Sequence, residues 1–453
     1  MQTLFFEKAL LPGGWAHNVA LRVENGFITE VAPGVSPVGM SRDGGIALPG
    51  LASLHSHTFQ RGMAGLGEIR GPSSDSFWSW RQVMYHFLGA LSADDVEAIA
   101  AFAFMEMLEG GFTAVGEFHY LHHAIGGAPY ANPAEHCERI AAAAAETGIG
   151  LTLLPVFYAQ GGFGGLPPTE GQRRFICDLD GFARLHEKAR AAITGLADAA
   201  IGVAPHSLRA VTPETLDDLL ATHKRGPIHI HIAEQLREVE DCIGWSGRRP
   251  VEWLFDHAEV DARWCLIHAT HMTEAEGRSV AASGAVAGLC PITEANLGDG
   301  IFDAPTMLAA GGAFGVGTDS NVEITAAGEL KQLEYSQRLG LRARNVFPQH
   351  EGHSTGAALY HGALAGGAQA LGRKIGGIAP GNRADFVVLD ATHSDLAHGV
   401  DDGILDRYIF VAGARAIDAV YVGGIRQVTG GRHVAREAIA ARYGKVMARL
   451  AAL

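Results

Sequence analysis

His55-Ser56-His57 places two imidazoles one residue apart. On an extended chain, residues i and i+2 face the same way, so both rings can converge on one metal ion. An isolated H-x-H carries little weight in a chain with 22 histidines. It gains weight from four further residues at the ends of apolar runs: His206, His231, His268 and Asp319. Three histidines and an aspartate bind a divalent cation and leave a position for water, the arrangement of catalytic zinc. On the residues alone, His206 stays open as a further ligand. Glu234 and His268 are the candidate proton-transfer groups, because cleaving a C–N bond needs a base for the water proton and an acid for the departing nitrogen. His229 shares a face with His231 but lies further from the run's end, so it reads as a packed histidine or one that supports a ligand. His122, His123 and His271 read as surface-loop residues, and His119 is open.

These side chains need a scaffold that delivers strand ends to one place. Eight short apolar runs alternate with helix-like stretches: Ile46–Leu54, Thr113–Phe118, Gly150–Phe157, Ile201–Pro205, Pro227–Ile232, Trp264–Ala269, Ala285–Cys290 and Phe314–Thr318. Strands that are apolar throughout and separated by helices form parallel sheets, and eight of them close a (β/α)8 barrel. A doubly wound open sheet is the structural alternative. Helix ends are legible: Ser92 caps a helix from Ala93 to Gly110-Gly111, Thr212-Pro213 starts another, and Thr273-x-x-Glu276 is a capping box. The expected fold is α/β, with a barrel over 50–374 carrying the chemistry at its strands' C-terminal ends. Residues 1–49 and 375–453 form a small discontinuous β-sandwich domain, with an Asn25-Gly26 hairpin near its start and an amphipathic helix over about 434–453. Two long connections, 58–92 and 158–175, are expected to be irregular. The Gly-rich second one lacks the Lys-Ser/Thr of a phosphate cradle and reads as a moving lid.

Composition narrows the function classes. The net charge is −14, from 35 Lys+Arg and 49 Asp+Glu, which argues against nucleic acid as a partner. No apolar run approaches the ~18 residues of a membrane span. Five scattered cysteines with no C-x-x-C fit reduced thiols, and the expected address is the cytoplasm.

The order H-x-H, His231, His268, Asp319, with Pro49-Gly50-Leu51 before it and Pro380-Gly381-Asn382-Arg383-Ala384-Asp385 after it, resembles the amidohydrolase superfamily. The fourth run ends without the lysine that binuclear members carboxylate. The chain therefore resembles the mononuclear, deaminase-type branch, where a His-x-x-Glu such as His231–Glu234 is typical. Further blocks cover nearly the whole chain: His55–Arg61, Asp75–Arg81, Glu117–Tyr120, His206–Val211, Trp245–Pro250 and Thr293–Gly300. They resemble a branch whose members release ammonia from the linear amidine of N-formimidoyl-L-glutamate in bacterial histidine degradation. That resemblance implies one zinc per subunit on His55, His57, His231 and Asp319, with His268, Glu234 and Asp319 catalytic. It implies Gln60, Tyr120, His206, Arg209 and Glu234 as substrate contacts, so His206 moves from ligand to substrate group. Arg81 is expected to assist Arg209 in recognising carboxylate, with a structural ion pair as the other reading. A homodimer is implied too. The competing functions are a deaminase of a nucleobase or guanidino compound, and an inactive barrel serving as a binding module.

Overall fold

The computed structural model describes residues 1–36, 41–42, 44–71 and 75–452, with 41–42 described as backbone only. Part of the long 58–92 connection, residues 72–74, therefore lies outside the described residues.

Eight strand positions form the barrel. Strand one is Leu51–Ser56, two Phe112–His119, three Gly150–Phe157, and four the short pieces Ala200–Ile201 and Ala204–Pro205. Strands five to eight are Ile228–Ile232, Trp264–His268, Val286–Leu289 and Ala313–Val316. Strands one to four pair in parallel, as do five to eight. Two seams close the ring. Val203 and Ser207 bridge to Ile228 and His231 between strands four and five, and Ser56 bridges to Asp319 between one and eight. The strands are buried almost throughout, the condition for a sheet covered on its outer face by helices and filled inside.

The expected first strand, Ile46–Leu54, is in fact two. Ile46–Pro49 pairs with the terminal sheet, and only Leu51–Ser56 enters the barrel. Gly50 is the crossing point: a Cβ there would collide with the Thr113 side chain. The 58–92 connection is also less irregular than expected. It holds a 3-10 turn at Thr58–Met63 and a helix at Phe77–Leu88 capped by Ser76. The three helix starts read from Ser92, Thr212 and Thr273 fall at those residues, each with its capping box formed.

Helix Thr355–Leu371 seals the end of the barrel away from the strand C-termini. The Leu371 carbonyl accepts from Thr152 Oγ1 (2.9 Å), and Ala370, Leu371 and Ile375 join barrel residues Leu54, Ala114 and Ile267 in one apolar cluster. His229 belongs to this lower layer, its Nε2 2.8 Å from the Ala370 carbonyl. Strand periodicity puts it on the face of His231, and one layer of depth keeps it away from the upper end.

The terminal segments form one nine-stranded sheet in which Ile46–Pro49 lies between Gln2–Leu11 and Phe386–Leu389. The sheet curls over its own apolar face. Phe6 meets Phe386 edge-on at 5.2 Å, and Phe27 bridges to Arg383 near the opposite end. The two layers of the sandwich are thus halves of a single hydrogen-bonded sheet. Its Asn25-Gly26 turn has both residues at positive φ (50° and 83°), the geometry that twists a two-residue hairpin correctly. Helix Arg436–Leu450 lies on helix Ala93–Glu109, with Tyr443 stacked on Phe102 at 4.0 Å. Among the described residues, no helix is long and apolar enough to cross a membrane.

Candidate metal centre and active site

Strand one ends at Ser56, and its last residues bring the two H-x-H rings over the barrel mouth. His55 Nε2 lies 3.2 Å from His57 Nε2 and 3.1 Å from His231 Nε2 at the end of strand five. Asp319 Oδ1 stands 3.5 Å from His55 Nε2 and 3.3 Å from His57 Nε2. Four ligands about 2.0–2.1 Å from a zinc ion stand roughly 3.3 Å apart in a tetrahedron. The hydrogen bonds behind the rings fix where their lone pairs point. His57 Nδ1 donates to the Phe118 carbonyl (2.9 Å) and His231 Nδ1 to the His206 carbonyl (3.0 Å). Both Nε2 atoms then carry lone pairs aimed at a common centre, an arrangement that repels itself unless a cation sits between them. Burial, followed by the neighbouring histidines, holds His55 down to about 3. Burial pushes Asp319 up, but the His55 hydrogen bond and the charges of His57, His55 and His268 bring it below the ordinary carboxylate value. The donor set fits a divalent metal.

The backbone is bent to present these groups. His268 and Asp319 have φ of 68° and 42°, a left-handed conformation unfavourable for residues with a Cβ. The His55 carbonyl pins the second bend by accepting from both Thr318 N and Asp319 N at 3.0 Å. His268 then stands between three carboxylates. Its Nδ1 is 3.2 Å from Glu294, and its Nε2 is 3.7 Å from Glu234 and 3.8 Å from Asp319. Burial lowers His268, but the attraction of Glu234, Glu294 and Asp319 outweighs it and raises the imidazole above its ordinary value. Glu234 moves up because it is buried. It is held by the backbone: Glu238 accepts from Glu234 N at 3.1 Å and Ala233 N at 3.3 Å.

Above the metal site lies a cavity. His57, His231 and Asp319 form its floor and Glu234 and His268 one side. Gln60, Tyr120, His206, Arg209 and Arg81 complete the wall, so every candidate residue from the sequence except His55 lines this one cavity, and His55 lies beneath it. Gln60 Nε2 donates to Tyr120 Oη (3.0 Å), and Tyr120 donates to Met84 Sδ (3.3 Å), which leaves Gln60 Oε1 without a partner among the described residues. His206 is not among the converging donors; its ring packs 4.5 Å from Tyr158, and its Nδ1 reaches Ser207 Oγ (3.2 Å). Burial, then the charge of Arg209, keeps His206 well below its ordinary value and hence neutral. Among the described residues, Arg81 makes no ion pair of the kind considered for it. Its guanidinium lies over Trp78, Tyr85 and Phe77, and its buried Nε has no partner among the described residues, as is also true of Arg209 Nη1.

Several histidines sit elsewhere. His122, read as a surface-loop residue, is buried because its Nε2 pairs with the Val156 carbonyl (2.8 Å). His119 is likewise buried and bonded to the Leu121 carbonyl (2.8 Å), outside the cavity lining. Of the Gly-rich connection, Thr169 and Gln172 form a capping box, and Gln172 Nε2 donates to Tyr158 Oη (2.8 Å), which fixes its second half against the cavity wall. Glu294 is the site residue that pattern reading missed. It lies three residues into a short helix after strand seven, 26 residues from His268, and only a folded chain brings them together.

The amidohydrolase family model matches residues 46–426, and the model described as formimidoylglutamate deiminase HutF, N-terminal domain, matches 1–45. A formimidoylglutamate deiminase of Pseudomonas aeruginosa is 49% identical over 99% of this chain and 100% of its own. An 8-oxoguanine deaminase of the same organism is 28% identical over 91% of this chain and 90% of its own. The crystal structure of an amidohydrolase from Brucella melitensis superposes with a TM-score of 0.96 at 53% identity, covering 99% of this chain and 100% of that one. His55, His57, His231 and Asp319 thus form a metal-binding site of the amidohydrolase kind. The chain belongs to the amidohydrolase family and, within it, to the formimidoylglutamate deiminases.

Proposed function

We propose that the chain hydrolyses N-formimidoyl-L-glutamate to N-formyl-L-glutamate and ammonia, using one zinc ion per chain. The observation that carries this reading is the set of groups that one cavity brings together. A metal site and two proton-transfer groups line it together with two arginines, each of which keeps a buried nitrogen without a partner among the described residues. The proposed substrate needs both kinds of group, since it has an amidine to hydrolyse and two carboxylates to bind. A confined cavity with a few convergent polar groups suits a small linear molecule.

Bound zinc supplies a Lewis acid that lowers the pKa of water toward neutrality. His268, with Asp319, accepts one proton of the attacking water as its oxygen bonds to the formimino carbon. Glu234, whose protonated form is favoured by burial, faces the amidine and gives its proton to the imine nitrogen, leaving a carbon that carries one hydroxyl and one amino group. Glu234 then takes back the hydroxyl proton while His268 passes its proton to the amino nitrogen, so the C–N bond breaks, ammonia leaves, the carbon keeps the water oxygen as a formyl carbonyl, and both residues return to their starting states. Gln60, Tyr120 and His206 orient the substrate, and Arg209 with Arg81 binds carboxylate through charge-assisted hydrogen bonds. In an acidic protein that attraction has to be local.

The reading extends to a homodimer in the cytoplasm, and to a catalytic unit over 50–374 with 1–49 and 375–453 as a second unit. An ammonia-release assay with N-formimidoyl-L-glutamate, cytosine, guanine and 8-oxoguanine tests it. Turnover of the first alone is expected. Turnover of a base without turnover of the first would overturn the substrate assignment, and no turnover or metal uptake at all would favour a binding module.

A further inference from the structure

Trp78 is half-buried and faces three cations. The guanidinium carbons of Arg81, Arg237 and Arg209 lie 4.6, 4.9 and 5.8 Å from its ring. A cation over indole within about 6 Å is attracted by the ring quadrupole, and such pairs usually occur singly. Here three gather on one side chain. Arg81 and Arg209 line the cavity and Trp78 does not, so the indole backs the two arginines from outside the wall. Arg81 is braced further by Tyr85 (5.6 Å) and Phe77 (6.0 Å). Arg81 Nε and Arg209 Nη1 are buried with no hydrogen-bond partner among the described residues. Arg237 is exposed, and its carboxylate neighbour, Asp241, is 3.6 Å away.

Like charges held together disperse unless something offsets their repulsion. Glu238 and Glu234 attract Arg209, whose Nε also donates to Ser207 Oγ (3.4 Å). The π face attracts all three cations and takes up none of their N–H groups. The helix Phe77–Leu88 begins at this place because Ser76 caps it, accepting from Trp78 N at 3.3 Å, so the ring is carried on a fixed backbone.

We propose that Trp78 is a positioning residue for a two-carboxylate clamp, holding Arg81 and Arg209 toward the cavity, with Arg237 as an outer third cation on the same ring. This rests on the dicarboxylate substrate argued above. Trp78 touches no reacting atom, so its effect belongs in binding and leaves the chemical step unchanged.

The test compares wild type with Trp78→Leu, Trp78→Phe and Arg237→Gln. It reads kcat and KM on N-formimidoyl-L-glutamate and, by calorimetry, the binding of glutarate, which has both carboxylates and no amidine. Trp78→Leu is expected to raise KM and the glutarate Kd about tenfold with kcat within about twofold, and Trp78→Phe to recover most of the loss. Arg237→Gln, at an exposed position that does not endanger folding, is expected to raise KM about threefold and to weaken its salt dependence. Unchanged KM and glutarate binding in both Trp78→Leu and Arg237→Gln would overturn the proposal, as would loss of kcat alone. Should Trp78→Leu not fold, unchanged binding in Arg237→Gln and Trp78→Phe would do the same. Glutarate binding that weakens in the variants supports the clamp even if wild type releases no ammonia, a result that would refute only the substrate reading.

Discussion

At the scale of residues, the site divides into groups that act on the amidine and groups that hold the acid end. His268→Asn removes the proton acceptor while keeping a polar side chain, and is expected to lower kcat by about 10²- to 10⁴-fold with metal content unchanged. Arg209→Ala acts on the other end: loss of a charge-assisted contact is expected to raise KM by roughly ten- to a hundredfold, with a smaller change in kcat. Glu294→Gln should fall between them. The Glu294 carboxylate accepts from both Cys290 N (2.8 Å) and His268 Nδ1, so it sets which imidazole nitrogen faces the cavity. An amide in its place is expected to reduce kcat about tenfold at nearly constant KM, measured beside metal content. The H-x-H pair was legible in the sequence because strand periodicity is local. Glu294 and Trp78 were not, since their roles depend on distances across the fold that no spacing records.

Elements explain why the strand count could be read and where it failed. Each barrel strand is a short, wholly apolar run, a pattern visible without neighbours, and the helix starts carry capping side chains within four residues. Ile46–Leu54 misled because both of its halves are buried strands, and only the contact between Gly50 and Thr113 reveals the change of sheet. His122 misled for a related reason: it follows a strand end, where exposure is usual, yet strand three supplies it with a carbonyl. The helix that seals the barrel gives a sharper test. Gly366 lies so close to strand eight that a Cβ would collide with the Phe314 carbonyl. Gly366→Ala is expected to destabilise the fold by about 1–3 kcal/mol, seen as a lower thermal midpoint, despite the better helix propensity of alanine. An unchanged midpoint would mean that the helix can shift away from the strand at little cost.

For the whole molecule, buried neutral histidines govern the response to acid. Burial lowers His122 to about 3, and His119, His186 and His229 to about 4, from an ordinary 6.5. Such a base stays neutral in the folded chain and takes up a proton on unfolding. The stability tied to it is therefore intact above pH 6.5 and is lost as pH falls from 6.5 toward 4, by about 1.4 kcal/mol per pH unit for each proton taken up. Urea melts at pH 7, 6 and 5 should show a steadily falling midpoint, and a flat series would contradict the neutral state of these rings.

The bridge between Ser56 and Asp319 joins the first barrel strand to the last, and the residues around it supply three of the four metal donors. The fourth, His231, stands at the other junction, beside its bridge to Ser207. A cylinder made from an open ribbon has to be fastened where its edges meet, and here the cation site doubles as the clasp. Loading the ion is then expected to tighten both backbone seams at once. Chelation should speed amide exchange first at residues 55–57 and 317–319 and at 206–207 and 231, while strands two, three and six keep their protection. Uniform loosening would show that the cylinder holds itself shut.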